Sequence, residues 1–334
     1  MKYVSRASSG NRFYSWSACC CLIYLCVIDT GYAKQNEDWS GCSTELIVLG
    51  TAQDAGKPQI YNWADPAWSD ASLRRSATSL GLIDRVSQQR WLIDATPNIK
   101  QQLYRFHTLF PLQNDAVIQG VFLTHAHIGH YSGVMMFGRE SMNSKAINVY
   151  AMPKMRDFLQ NNGPWSLLVA NENIVLRAIS NNVPIALTNE LHVTPIIVPH
   201  REEFSETVAY VISGKTRSVL FMPDIDSWEE LDELGVSIED LIAGVDVAYI
   251  DATFFSGKEL PARNMQDIPH PTISHSMARF ASRDASFKNR IRFLHMNHSN
   301  PALVEDSNEF KKVHALGFNT AKENETVCLT LVNP

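Results

Sequence analysis

Short runs of aliphatic and β-branched residues recur along the chain at residues 46–49, 79–83, 91–93, 121–124, 147–150, 194–198, 208–212, 218–222, 245–250, 291–294 and 327–332. Several are apolar without alternation, the pattern of strands covered on both faces. Amphipathic segments between them predict helices. Residues 98–106 and 153–159 each begin at or just after a proline, a favoured first-turn residue. Residues 228–234 have an acidic first turn behind Asp226 and Ser227, and a fourth helix is expected over 274–281. Helices interspersed among strands that need cover on both faces predict a layered α/β domain of α/β/β/α type.

The first 33 residues follow a different pattern. Lys2, Arg6 and Arg12 precede an apolar run of 11 residues (18–28), and Gly31-Tyr32-Ala33 supplies small residues suited to cleavage. This is the arrangement of an export signal, and the run is too short to span a bilayer. Acylation at Cys19 is the rival reading, disfavoured because the apolar run follows that cysteine. The expected organisation is a signal peptide over 1–33 and one domain over 34–334, in the periplasm or secreted, with no stable membrane span after cleavage.

Composition adds to this picture in two places. The 334-residue chain carries a formal net charge of −6. Cleavage removes three basic residues against only Asp29, so a basic nucleic-acid surface is not expected. Of the six cysteines, Cys19, Cys20, Cys21 and Cys26 lie in the signal, leaving Cys42 and Cys328 beside the first and last predicted strands. In an oxidising compartment these two are expected to pair. Nucleophilic serine catalysis lacks a G-x-S-x-G element.

The chemistry concentrates on histidine. Residues 123–133 read LTHAHIGHYSG, with His125, His127 and His130 on a turn between a predicted strand and a predicted helix. Three imidazoles at H-x-H-x-x-H spacing can converge on one cation region, whereas scattered surface histidines rarely do.

This segment resembles the signature T-H-x-H-x-D-H-x-x-G of the metallo-β-lactamase superfamily, with Gly129 where the family has aspartate. Further elements appear in the family's order: Leu92-Ile93-Asp94-Ala95, Val198-Pro199-His200, Phe221-Met222-Pro223-Asp224 and Leu294-His295-Met296-Asn297-His298. The resemblance implies a single metallo-β-lactamase-like α/β/β/α sandwich. It places His125, His127 and His200 at a first metal, with Asp224 bridging to a second that also holds His130 and His298. Nitrogen donors with one carboxylate suit Zn2+, one or two ions, though iron or manganese would also be accepted. His295 would then be a supporting or catalytic group. Gly129 removes a carboxylate that normally binds the second ion. Asp54, in Gly50-Thr51-Ala52-Gln53-Asp54-Ala55-Gly56, is the candidate replacement, with an ordinary turn residue as the equal alternative.

Within the superfamily, the chain resembles the branch containing the pyrroloquinoline quinone biosynthesis protein B. The shared segments are LGTAQDAGKPQ (49–59), HREEFSET (200–207), PDID (223–226), IPHP (268–271) and HMNHSNP (295–301). That biosynthetic protein lacks most of the histidine motif and has asparagine where this chain has His298, which argues for His298 as a ligand here and against simple transfer of the role. His270, in Pro269-His270-Pro271-Thr272, resembles a phosphate-holding histidine of the superfamily's phosphodiesterases, or simply enters a helix. Arg201 could clamp an anion or pair with neighbouring glutamates. Trp165 could wall a pocket or pack.

These features imply an exported metal-dependent hydrolase that uses a metal-activated hydroxide, oriented by Asp224, on a small-molecule ester, lactone or phosphodiester. Asp224, His295 and His270 are the candidate catalytic residues. Two alternatives remain: an iron-dependent oxidative enzyme related to quinone-cofactor biosynthesis, and a non-catalytic metal- or ligand-binding protein of the same fold.

Overall fold

The computed structural model describes residues 41–112, 117–261, 263–265 and 268–332; the expected signal peptide and its cleavage point lie outside them. In chain order the elements are β1 (Cys42–Gly50), β2 (Ser79–Asp84), β3 (Gln89–Ile93), α1 (Ile99–Leu109), β4 (Gly120–Phe122), α2 (Ile128–Tyr131), β5 (Ile147–Ala151), α3 (Pro153–Asn161), α4 (Trp165–Ala170) and β6 (Ile174–Ala178). They continue with β7 (Ile185–Ala186), β8 (His192–Ile197), β9 (Val208–Ser213), β10 (Ser218–Met222), α5 (Trp228–Glu233), α6 (Ile238–Ala243) and β11 (Val247–Asp251). The last are α7 (Ile273–Arg279), α8 (Ala285–Arg290), β12 (Ile291–Leu294), α9 (Asn308–Ala315), β13 (Asn319–Thr320) and β14 (Thr326–Leu331).

The strands form two seven-stranded sheets, β14-β1-β2-β3-β4-β5-β6 and β13-β12-β11-β10-β9-β8-β7. Each sheet is antiparallel at one side and parallel at the other, with β3 to β6 parallel in the first and β10 to β13 parallel in the second. The unbroken apolar runs now have their reason. In β1, Leu46 and Val48 face the other sheet while Ile47 and Leu49 face helices. In β10, Val219 and Phe221 point inward, whereas Leu220 and Met222 point to the outer helices. Alternate side chains of one strand thus serve two cores, so both parities must be apolar. The result is the expected four-layer α/β/β/α sandwich in one domain.

The predicted strands and helices all form, with ends shifted by a few residues. The pattern missed β6, β7 and β13, and helices α4, α6, α8 and α9, all but the last of them six residues or shorter. Cys42 and Cys328 form a disulfide with Cα atoms 5.9 Å apart, tying β1 to its neighbour β14. No helix among the described residues is long and apolar enough to cross a membrane.

Candidate metal centre

The site lies where the parallel strands of both sheets end at their carboxyl edges, the side of an α/β sheet on which side chains and loops are free to converge. Asp94 follows β3, and His125, His127 and His130 follow β4. His200 follows β8, Asp224 follows β10, and His295 follows β12. Four of the donors (His125, His127, His200, Asp224) have ligand atoms within 4.8 Å of one another, as do His130, Asp224 and His295. Asp224 belongs to both groups, and its Oδ2 stands 3.3 Å from His125 Nε2, 3.4 Å from His200 Nε2, 3.7 Å from His130 Nε2 and 3.9 Å from His295 Nε2.

Each ring has one nitrogen facing inward and the other engaged by a partner. His130 Nδ1 lies 2.7 Å from Asp94 Oδ2, His200 Nδ1 2.7 Å from Asp226 Oδ1, and His127 Nε2 3.0 Å from Glu203 Oε2. A carboxylate only accepts, so these rings carry their proton on the outer nitrogen. Two threonines extend the logic. Thr124 Oγ1 donates to Asp94 at 3.0 Å and so accepts from His125 Nδ1, also 3.0 Å away. Thr253 Oγ1 donates to Asp251 at 2.8 Å and accepts from His295 Nδ1 at 3.1 Å.

All five inner nitrogens therefore present lone pairs. Yet His125 Nε2 is 2.9 Å from His127 Nδ1, His127 Nδ1 3.1 Å from His200 Nε2, and His130 Nε2 3.2 Å from His295 Nε2. Lone pairs at that range repel unless a proton or a cation lies between them. Burial works against the proton, pushing the imidazoles of His125 and His295 well below the usual value and lowering that of His127. Burial alone would raise Asp224, but the surrounding His200, His295 and His270 hold its carboxyl well below the usual range. At His130 burial is outweighed by the neighbouring Asp94 and Asp224, which raise the pKa, and five imidazoles around one ionised carboxylate make a donor set that fits a cation. Tetrahedral zinc with nitrogen at about 2.0–2.1 Å would set its donors roughly 3.3 Å apart, close to the spacings present.

His270 stands against the same carboxylate without joining either group of five-ring donors. Its Nδ1 is 2.8 Å from Asp251 Oδ2 and 3.3 Å from Asp224 Oδ1, and its buried Nε2 has no partner. Burial lowers its pKa, but Asp251 and Asp224 outweigh that and raise it to about 9. It is therefore more than a helix-entry residue.

The structure separates two neighbouring histidines that the sequence ordered the other way. His295, not His298, faces His130. Strand β12 stops at Leu294, and His295 takes a left-handed backbone (φ 61°) that turns its ring inward. Met296 then pairs with the loop after β1, and the following turn carries His298 toward Lys57, whose Nζ donates to the His298 carbonyl at 3.4 Å. Assigning the strand end to His298 misplaced it by three residues. Asp54 sits beside the second group, but its carboxylate is not within either set of converging donors. Arg201 is half-exposed and lies 3.9 Å from Glu203, and Trp165 packs against Tyr131 and Phe158.

Sequence reasoning did not single out Asp226, Asp251, Thr253 or Glu203 as supports, nor give Asp94 its role. Asp226 and Asp251 carried a faint signal as acids at or just past strand ends. Glu203 and Thr253 carried none, because their roles exist only across the fold.

A family model described as the beta-lactamase superfamily domain matches residues 89–301, well over half of the chain. Coenzyme PQQ synthesis protein B of Xanthomonas oryzae pv. oryzae is 25% identical over 313 residues, covering 85% of this chain and 99% of that protein. The crystal structure of Zn(2+)-bound PqqB from Methylobacterium extorquens superposes with a TM-score of 0.70 at 22% identity, covering 85% of this chain and 99% of the other. A diphosphatase from the PhnP family follows with a TM-score of 0.58 at 19% identity, covering 85% and 96%. At these identities the two structures establish the shared fold.

Proposed function

This chain belongs to the beta-lactamase superfamily, and from that premise we propose that it is an exported metal-dependent hydrolase acting on a small ester, lactone or phosphodiester. The observation that carries the reading is the set of inward lone pairs on five buried or half-buried histidines around the ionised Asp224. A cation bound there supplies an acidified water and draws off negative charge at the centre under attack.

The chain's own residues do the rest. Asp94, Asp226, Glu203, Thr124 and Thr253 lock the ring tautomers, so the inner nitrogens are ready without reorganisation. Asp224 Oδ2 faces the histidines and can orient a nucleophilic water, while Asp251 Oδ2 accepts the His270 Nδ1 proton at 2.8 Å and Asp224 Oδ1, 3.3 Å away, adds its charge beside that ring. The His270 Nε2–H, buried without an acceptor, is positioned to donate to an anionic oxygen of the substrate or leaving group. A cation beside Asp224 would lower the His270 pKa from its metal-free value and ease that donation.

Export is supported by the charged and apolar pattern of the first 33 residues and by the disulfide, which suits an oxidising compartment. Coenzyme PQQ synthesis is the role in the names of the relatives, and it enters here as the rival outcome of one experiment. Protein purified from the exported fraction is assayed for metal content and N-terminus, then for turnover of ester, lactone and phosphodiester panels before chelation, after it and after zinc addition. Zinc-dependent hydrolysis by a chain beginning after Ala33 is expected. Hydrolysis indifferent to chelation, or stoichiometric iron with oxygen uptake and no hydrolysis, would overturn the reading.

A further inference from the structure

Gly129 stands where the family signature has an aspartate, and the structure shows what took its space. A Cβ built on Gly129 would lie 2.8 Å from Asp54 Cα and 2.9 Å from the Asp54 carbonyl oxygen. Those are backbone atoms, so no side chain can be accommodated there by a rotamer change. The loop after β1 has moved into the place an aspartate at 129 would need.

That loop is pinned from the opposite side as well. Met296 N donates to Thr51 O at 3.0 Å, Gln53 N donates to Met296 O at 2.9 Å, and Asn297 Nδ2 donates to Gln53 Oε1 at 2.7 Å. Gly129 precedes His130, and Met296 follows His295. Asp54 is thereby wedged between the two segments that supply the histidines of the second group. Its backbone is left-handed (φ 51°), a conformation that aspartate and asparagine tolerate better than most residues. The Asp54 carboxyl, raised chiefly by burial, is within electrostatic reach of His130, Asp224, His270 and His127, and ligation from this position requires its side chain to turn toward His130.

We propose that Asp54 is the carboxylate ligand of a second ion held with His130, His295 and Asp224, a relocated substitute for the aspartate missing at 129. The loss at one position and the gain at the other are one exchange: the backbone that brings Asp54 to the site is what excludes any side chain from residue 129. The inference rests on the reading of the site as a metal centre, and its test keeps the two apart.

Metal-free protein is titrated with zinc and with cobalt, and ions per chain are read by elemental analysis, with the visible cobalt spectrum as a second readout. Wild type is expected to hold two ions. Asp54→Asn and Asp54→Gly, both compatible with a left-handed backbone, should hold one, with second-site affinity reduced at least tenfold. Asp65→Asn, on the same loop but paired with Lys57, should keep both ions. Two ions with unchanged affinity in the Asp54 variants, or equal loss in Asp65→Asn, would overturn the assignment. A single ion in wild type would overturn it while leaving a one-metal hydrolase standing. Undiminished metal binding after the double change His125→Ala and His127→Ala would instead overturn the metal-centre reading itself.

Discussion

The two halves of the centre differ in how they are built. His125 and His127 come from one five-residue turn, and His200 joins them from the end of β8, each ring backed by a hydroxyl or carboxylate. The other half takes His130 from α2, which follows that turn, but needs His295 from the end of β12, 165 residues away, and a loop after β1 that passes between them. The first half is mostly local and complete. The second is assembled from three distant segments and lacks the expected acid. A motif can lose one member without losing the site, provided that the fold brings a similar group to the same edge by another route.

The sharpest way to break this contrast is the double change His125→Ala and His127→Ala. It should abolish tight binding at the first half and reduce turnover by at least a thousandfold, read by elemental analysis and steady-state rates. Retained turnover would mean that the first half is not the working one. Next in size is Gly129→Ala. The added methyl meets backbone of the Asp54 segment, so a loss of about 1–3 kcal/mol is expected in denaturant unfolding, together with weaker metal binding in the second half alone. An unperturbed second half would show that the loop is not held as tightly as its hydrogen bonds imply. The smallest effect belongs to His298→Ala. Because His298 is in neither set of converging donors, metal stoichiometry should stay unchanged and affinity should move by less than threefold. Loss of an ion there would restore His298 to the site at the expense of His295.

Legibility in the sequence followed chain distance. The strands were readable because both of their faces are buried, which leaves long apolar runs. The histidine turn was readable because its three donors sit within six residues. Asp224 and His200 were found as polar residues placed just beyond apolar runs. His295 was missed as the ligand because choosing between two histidines three residues apart requires the backbone angle at which β12 ends. Asp54 could be suspected from the glycine at 129, but the sequence could not show that the two positions touch.

Taken alone, the amino-acid order determined the layered fold, the pairing of Cys42 with Cys328, and the concentration of cation-binding chemistry at the strand ends. Those depend on local preference and on which residues must be buried. Tertiary structure decided which histidine completes the second half, which carboxylates and threonines set the ring tautomers, and why residue 129 has no side chain. These are contacts between segments far apart in the chain, where a difference of a few ångströms in backbone path selects one donor over another.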